Sequence, residues 1–116
     1  MLYNLNKLNE IAHGDQGFIR DMVITFVENV TAEISNILSF KSVDKWTSIA
    51  ETAHKLASNF AYLGADSLHD LAADIEKSVL YEHNLRGIAD KTGQLCQEGM
   101  MLIDQVRKDF CMTCAN

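Results

Sequence analysis

The sequence predicts an all-α protein: an antiparallel four-helix bundle with a short additional helix at the N-terminus. Three observations carry that prediction. Apolar residues recur by threes and fours along nearly the whole chain, and no stretch shows the strict alternation that marks a strand. No proline interrupts any of these runs. The segments between runs are only a few residues long, which sets consecutive helices antiparallel. A chain of 116 residues has room for one domain, spanning 1–116, with one core.

Taken in order, Leu2, Leu5, Leu8 and Ile11 form a short amphipathic helix that stops near Gly14, a residue suited to a left-handed C-terminal cap. It is expected to lie across one end of the bundle. Asp15 caps the second helix, whose apolar stripe runs from Phe18, Ile19, Met22, Val23 and Phe26 through Val27, Val30 and Ile34 to Ile37 and Leu38, ending near Ser39. A turn over 40–43 and a cap at Asp44 lead into the third helix. Its seam is Trp46, Ile49, Ala53, Leu56, Phe60 and Leu63, and Gly64 ends it. Asp66 or Ser67 opens the fourth helix, which turns Leu68, Leu71, Ala72, Ile75 and Val79 inward as far as about Leu80. After a polar loop over 81–84, the fifth helix starts at Leu85 and reaches about Phe110. Gly87, Gly93 and Gly99 each cost such a helix up to about 1 kcal/mol relative to alanine, so close packing is their expected reason.

Composition excludes several classes of function. A hydrophobic share of 47% with 22% charged residues is that of a folded globular chain. The formal net charge of −6, with no cluster of Lys and Arg, argues against nucleic acid as a partner. No apolar run reaches the roughly 18 to 20 residues that span a bilayer, and the start lacks the build of a signal peptide. The expected location is cytoplasmic, either as a separate protein or as the cytoplasmic part of a larger sensor kinase. Three cysteines without a secretion signal are expected to be reduced thiols. Cys111 and Cys114 form a C-x-x-C near the chain end, but the second half of a zinc site is missing, and a frayed helix end is the simpler reading.

One residue of the third helix stands apart. At about 100° per residue, His54 lies roughly 130° from the centre of the buried seam, so its imidazole faces solvent. Its neighbours on that face are Thr47, Ala50, Glu51, Ala57, Ser58 and Ala61. Apart from Glu51 they are small, and the ring is expected to stand above a low ledge that another protein can approach closely. An alanine-rich helix with an incidental surface histidine has the same appearance. The string Ala53-His54-Lys55-Leu56, followed by Gly64 ten residues after the histidine and by Leu68, Leu71 and Glu76, is more specific. It resembles the motif of histidine-containing phosphotransfer (HPt) domains, roughly A-H-x-L-K-G, over most of the chain. Ala57 stands where that motif has lysine, and Ser58 where it has glycine.

The resemblance implies that His54 is a phosphorylated nucleophile, with Lys55, Ala57, Ser58 and Gly64 as supporting positions. It implies that His54 accepts a phosphoryl group from the aspartate of one receiver domain and passes it to the aspartate of another. Response regulators and hybrid sensor histidine kinases carry such domains. No cofactor of its own is expected, Mg²⁺ being held by the receiver. The chain has no P-loop, glycine-rich loop or kinase signature, so it is expected neither to bind ATP nor to phosphorylate itself. An imidazole, with an ordinary pKa of about 6.5, is largely neutral near pH 7 and attacks without an elaborate base. Phosphoryl transfer asks mainly for positioning and charge neutralisation. A lysine at 57 would add at most about 1 kcal/mol at an exposed site, so its absence is expected to slow transfer by about tenfold or less, with Lys55 compensating in part.

The other histidines carry no such pattern. His13 sits beside the Gly14 turn, His83 in a loop, and His69 among Asp66, Asp70 and Asp74 on a helix. Glu51–His54 and Asp66–His69 have the spacing of a carboxylate-bridged metal pair, yet both fall off the apolar stripes and are expected to point outward. A second reading of the chain keeps the bundle and drops the chemistry. In it the protein is a non-phosphorylated adaptor that binds a receiver or another signalling protein, favoured by the missing lysine, whereas His54, Leu56 and Gly64 favour the relay.

Overall fold

Helices form where the periodicity places them, and they close into a ring. The computed structural model describes residues 2–110, so Cys111 and Cys114 lie outside the described residues. Helix α1 spans Asn6–Ala12, α2 Gln16–Lys41, α3 Trp46–Tyr62, α4 Asp66–Glu76 and α5 Ile88–Asp109, with a π-helical turn, Lys77–Tyr81, continuing α4. Among the described residues there is no strand. Packing runs α2 on α3, α3 on α4, α4 on α5 and α5 back on α2, with α1 laid on α2. The seam of α3 lies where the spacing puts it: Ile49, Ala53, Leu56, Phe60 and Leu63 have no exposed surface. None of the described helices is long and apolar enough to cross a membrane.

Four features differ from the sequence reading, each for a local reason. Helix α1 starts at Asn6 because tertiary bonds claim the residues before it: Asn4 N–H donates to the Leu63 carbonyl at 2.9 Å, and the Tyr3 hydroxyl donates to Asp109. Asp15 does cap α2, accepting from Phe18 N–H at 3.1 Å, but Phe18 and Leu38 are about half exposed. The stripe is thus narrower, carried by Ile19, Val23, Val27, Val30, Ile34 and Ile37. Asp44 is not a cap: it adopts the left-handed conformation, φ 56°, and α3 begins after Lys45 with no side-chain cap. The last loop runs to Gly87, whose φ of 72° sets the start of α5 at Ile88 and leaves Leu85 half exposed.

Two glycines answer to close approach. A Cβ on Gly99 would lie 2.8 Å from Ile34 Cδ1, so this residue lets α5 meet α2. Gly64, at φ +64°, ends the α3–α4 connection beneath the Asn4 side chain, where a Cβ would lie 2.5 Å from Nδ2. The N-terminal strap is thereby seated on the α3–α4 turn, and Tyr3 carries it across to the end of α5.

That clasp responds to pH at both ends. Burial first, then the hydrogen bond and charge of Asp109, push the Tyr3 phenol from 10.0 up to about 12. The hydrogen bonds from Tyr3 and then Gln105 hold the Asp109 carboxyl below its ordinary value. A raised folded-state pKa means that the unfolded chain loses its Tyr3 proton first, so the clasp's stabilisation is complete below pH 10 and is lost as pH rises through about 12. The lowered carboxyl works in the opposite sense, its share being present above pH 3.8 and lost as pH falls through the folded value. Thermal unfolding of Tyr3→Phe against the wild type should show a lower midpoint at pH 7 and a gap that closes at both extremes. No gap at any pH would show that the hydroxyl contributes nothing, and a constant gap from pH 3 to pH 12 would show that these two titrations do not govern its contribution.

Candidate functional site

His54 owes its place to the width of the buried arc on α3. Thr52, Leu63, Leu56, Ile49, Phe60, Ala53, Ala57 and Ala50 are all buried, and at about 100° per residue they fill an arc about 160° wide. His54 stands about 40° past the Ala50 edge, and its side chain is 67% exposed. Beyond it, Thr47, Glu51, Lys55 and Ser58 are exposed, and Ala61, between it and the Ala50 edge, is half-buried.

The expected ledge of small residues therefore needs correction on one flank. Ala50 and Ala57 are not open surface but 0% and 8% exposed. Ala50 packs with Val79 and Ile88, and Ala57 belongs to the main core. Their smallness lets α4 and the π turn come up against α3 beside the histidine. His54 thus rises at a seam between two helices, with open surface on one side only. Gly64 is also distant from the ring: ten residues at 1.5 Å each put it about 15 Å down the helix axis, at the turn rather than at the site.

Across that seam the ring meets a partner. His54 Nδ1 lies 2.8 Å from Glu76 Oε2, and the Glu76 side chain is 20% exposed. The pair stands at ion-pair distance, and a carboxylate beside Nδ1 favours the form of the ring that carries a proton there. In the Nδ1–H tautomer, Nε2 is the nitrogen whose lone pair is left free. Chemically, this is an exposed ring nitrogen able to act as a nucleophile, beside a mostly covered carboxylate that would offset positive charge forming on the ring. Sequence reasoning placed Glu76 at a motif position but did not bring it to His54. A signal was present: His54 lies ten residues before Gly64 and Glu76 twelve after, and in an antiparallel hairpin residues equally far from the turn face each other.

The remaining candidates stay apart from this pair. His13 caps α1 in the left-handed conformation, φ 51°. His69 Nδ1 lies 3.1 Å from Asp70 Oδ1, both near the surface. His83 is exposed, also at positive φ. Glu51 and Asp66 are exposed, and His54 pairs across helices with Glu76 rather than with Glu51. Among the described residues no three His, Cys, Asp or Glu side chains converge as a metal site requires. Cys96 is buried, and that burial raises its thiol pKa, which makes it a poor nucleophile.

Set against known proteins, residues 21–109 match the family model described as Hpt domain. Neither the comparison with curated proteins nor that with solved structures returned a match.

Proposed function

We propose a phosphorelay role for His54 from one premise: the chain belongs to the Hpt domain family. That membership brings histidine phosphotransfer in phosphorelay signalling, with receiver domains as the interacting class. The finer reading is that Nε2 of His54 attacks the phosphorus of a receiver's aspartyl phosphate. The N–P bond forms as the acyl P–O bond breaks, the receiver regains its carboxylate, and the ring, still protonated at Nδ1, becomes cationic. A second receiver aspartate reverses these changes. Mg²⁺ on the receiver neutralises the phosphoryl oxygens, while this chain supplies a positioned ring. The observation that carries the proposal is the Glu76 contact, because it favours the tautomer that leaves Nε2 free.

The test is to mix the protein with Mg²⁺ and a radiolabelled, phosphorylated receiver and to follow the label. Label on this chain that is lost in acid and kept in base marks a phosphohistidine. A complex that forms without transfer of label would make the protein an adaptor instead.

The buried setting of Ala57 changes what a lysine there would do. Its stem would leave the α3–α4 contact before its ammonium could reach His54. Ala57→Lys should therefore destabilise the fold by about 1 to 3 kcal/mol through overpacking, and speed uptake less than about tenfold through an exposed charge pair. Thermal unfolding together with timed uptake at low and high salt separates the two effects. Acceleration unaffected by salt would rule out the charge as its cause.

A further inference from the structure

We infer that the phosphorylated receiver grips this chain mainly through the end of the bundle formed by the α2–α3 loop and the π turn with its following loop, with Tyr81 and Leu85 as specificity-determining contacts. The inference rests on the relay reading of His54.

A partner that reacts with His54 must cover its surroundings. A standard interface takes about 800 Å² from each side, equivalent to a disc of about 16 Å radius. Thr47 lies seven residues before His54, about 10 Å along α3 and about 20° round it, and is exposed. At that point a cleft of about 370 Å³ opens, with Asp44, Thr47, Val79, His83 and Leu85 among its walls. The fold brings this cleft to the histidine's side, because α4 and the π turn run antiparallel to α3. Glu76 meets His54, Val79 meets Ala50 one turn on, and the loop after the π turn reaches the start of α3.

The chain leaves large apolar groups uncovered there. Tyr81 is 73% exposed, Val43 59% and Leu85 50%. Tyr81 is the most exposed large hydrophobic residue described, and it sits five residues past Glu76. The backbone around the cleft is also costly to hold. Of three non-glycine residues at positive φ among the described residues, Asp44 and His83 both line it. The π turn supplies a third departure from regular geometry beside them. Such conformations persist where the surroundings over-determine them, and they concentrate at functional sites. The competing apolar surface, Phe18 with Met22 and Phe26 on α2, approaches α3 at Tyr62, which stacks on Phe26. Tyr62 is itself about 12 Å from His54 along the axis, and because α2 runs antiparallel Phe18 lies about as far again beyond it, outside the disc. The occupant is therefore the reacting receiver rather than an unrelated partner: a protein centred on His54 that takes a standard area reaches the cleft at Thr47, and Tyr81 closes the π turn that runs on from Glu76.

The experiment uses the full chain and a panel of purified receiver domains phosphorylated with acetyl phosphate and Mg²⁺, taking the receiver that transfers fastest. Uptake is timed against receiver concentration for the wild type, Tyr81→Ala, Leu85→Ala and Phe18→Ala. We expect the first two variants to raise the half-saturating receiver concentration about tenfold each while the saturated rate changes less than twofold, and Phe18→Ala to change neither. Unaltered circular dichroism keeps folding out of the comparison. Tyr81 and Leu85 variants that behave as wild type, with Phe18→Ala raising half-saturation, would overturn the inference and leave the relay standing. A loss of self-association on sedimentation, with half-saturation unmoved, would assign the surface to a second copy and likewise overturn it. Failure of every receiver to label the wild type would remove the relay reading, and the inference with it.

Discussion

Replacing His54 by glutamine is expected to abolish phosphoryl uptake from a receiver while leaving the bundle folded. The expected loss is complete, because an amide nitrogen has no lone pair free to attack phosphorus and no other described histidine shares the seam with Glu76. His13 caps a helix, His69 rests against Asp70, and His83 stands in a loop. Stability should barely change. The side chain is 67% exposed, and substitutions away from buried features usually stay within about 0.5 kcal/mol. Glutamine also keeps an N–H donor near Glu76, so the mostly covered carboxylate is not orphaned. The comparison is label per mole of protein after mixing with phosphorylated receiver, for His54→Gln, His69→Gln and His83→Gln, with circular dichroism on each. Label that survives in His54→Gln and disappears in His69→Gln or His83→Gln would move the site.

How far the sequence revealed this arrangement follows from which interactions are local. The seam of α3, the Asp15 cap and the exposure of His54 are properties of one helix and its first turn, so spacing alone yields them. Spacing sets Ala57 on the open face, whereas it is buried, because angular position says how far a residue lies from the centre of the buried arc, not how wide the arc is. Width depends on how closely the next helix approaches, and alanines at 50 and 57 permit a close one. The same contact produced the Glu76 partner, which requires the register between α3 and α4. Periodicity within a helix carries no register; the turn at Gly64 does, once counted from both sides. The π turn and the left-handed Asp44 and His83 left no mark of their own. Neither is a glycine position, and the conformations are imposed by packing at the end of the bundle.

The carboxylate at position 76 is where charge and orientation separate by experiment. In the relay we propose, attack through Nε2 would leave the ring cationic, with Nδ1 2.8 Å from Glu76 Oε2, so the carboxylate would stabilise the product and the charge developing toward it. Hydrogen bonds to charged groups contribute about 1.5 to 3 kcal/mol, and a ring this exposed takes the low end because water screens the pair. Glu76→Ala, at about 1 to 2 kcal/mol, should slow uptake about 5- to 30-fold. It should also lower the fraction of phosphoryl on His54 at equilibrium with the receiver. Glu76→Gln keeps an oxygen that accepts from Nδ1–H but removes the charge, and its rate should fall between the two. Nitrogen-15 NMR of the unphosphorylated ring supplies the readout that a mere packing role would not move. The wild type and Glu76→Gln should hold the Nδ1–H tautomer, and Glu76→Ala should populate the Nε2–H form. Equal rates in all three proteins, with the tautomer shifted only in Glu76→Ala, would mean that the docked receiver orients the ring unaided. Equal rates with no tautomer change would mean that the contact with Glu76 does not persist in solution.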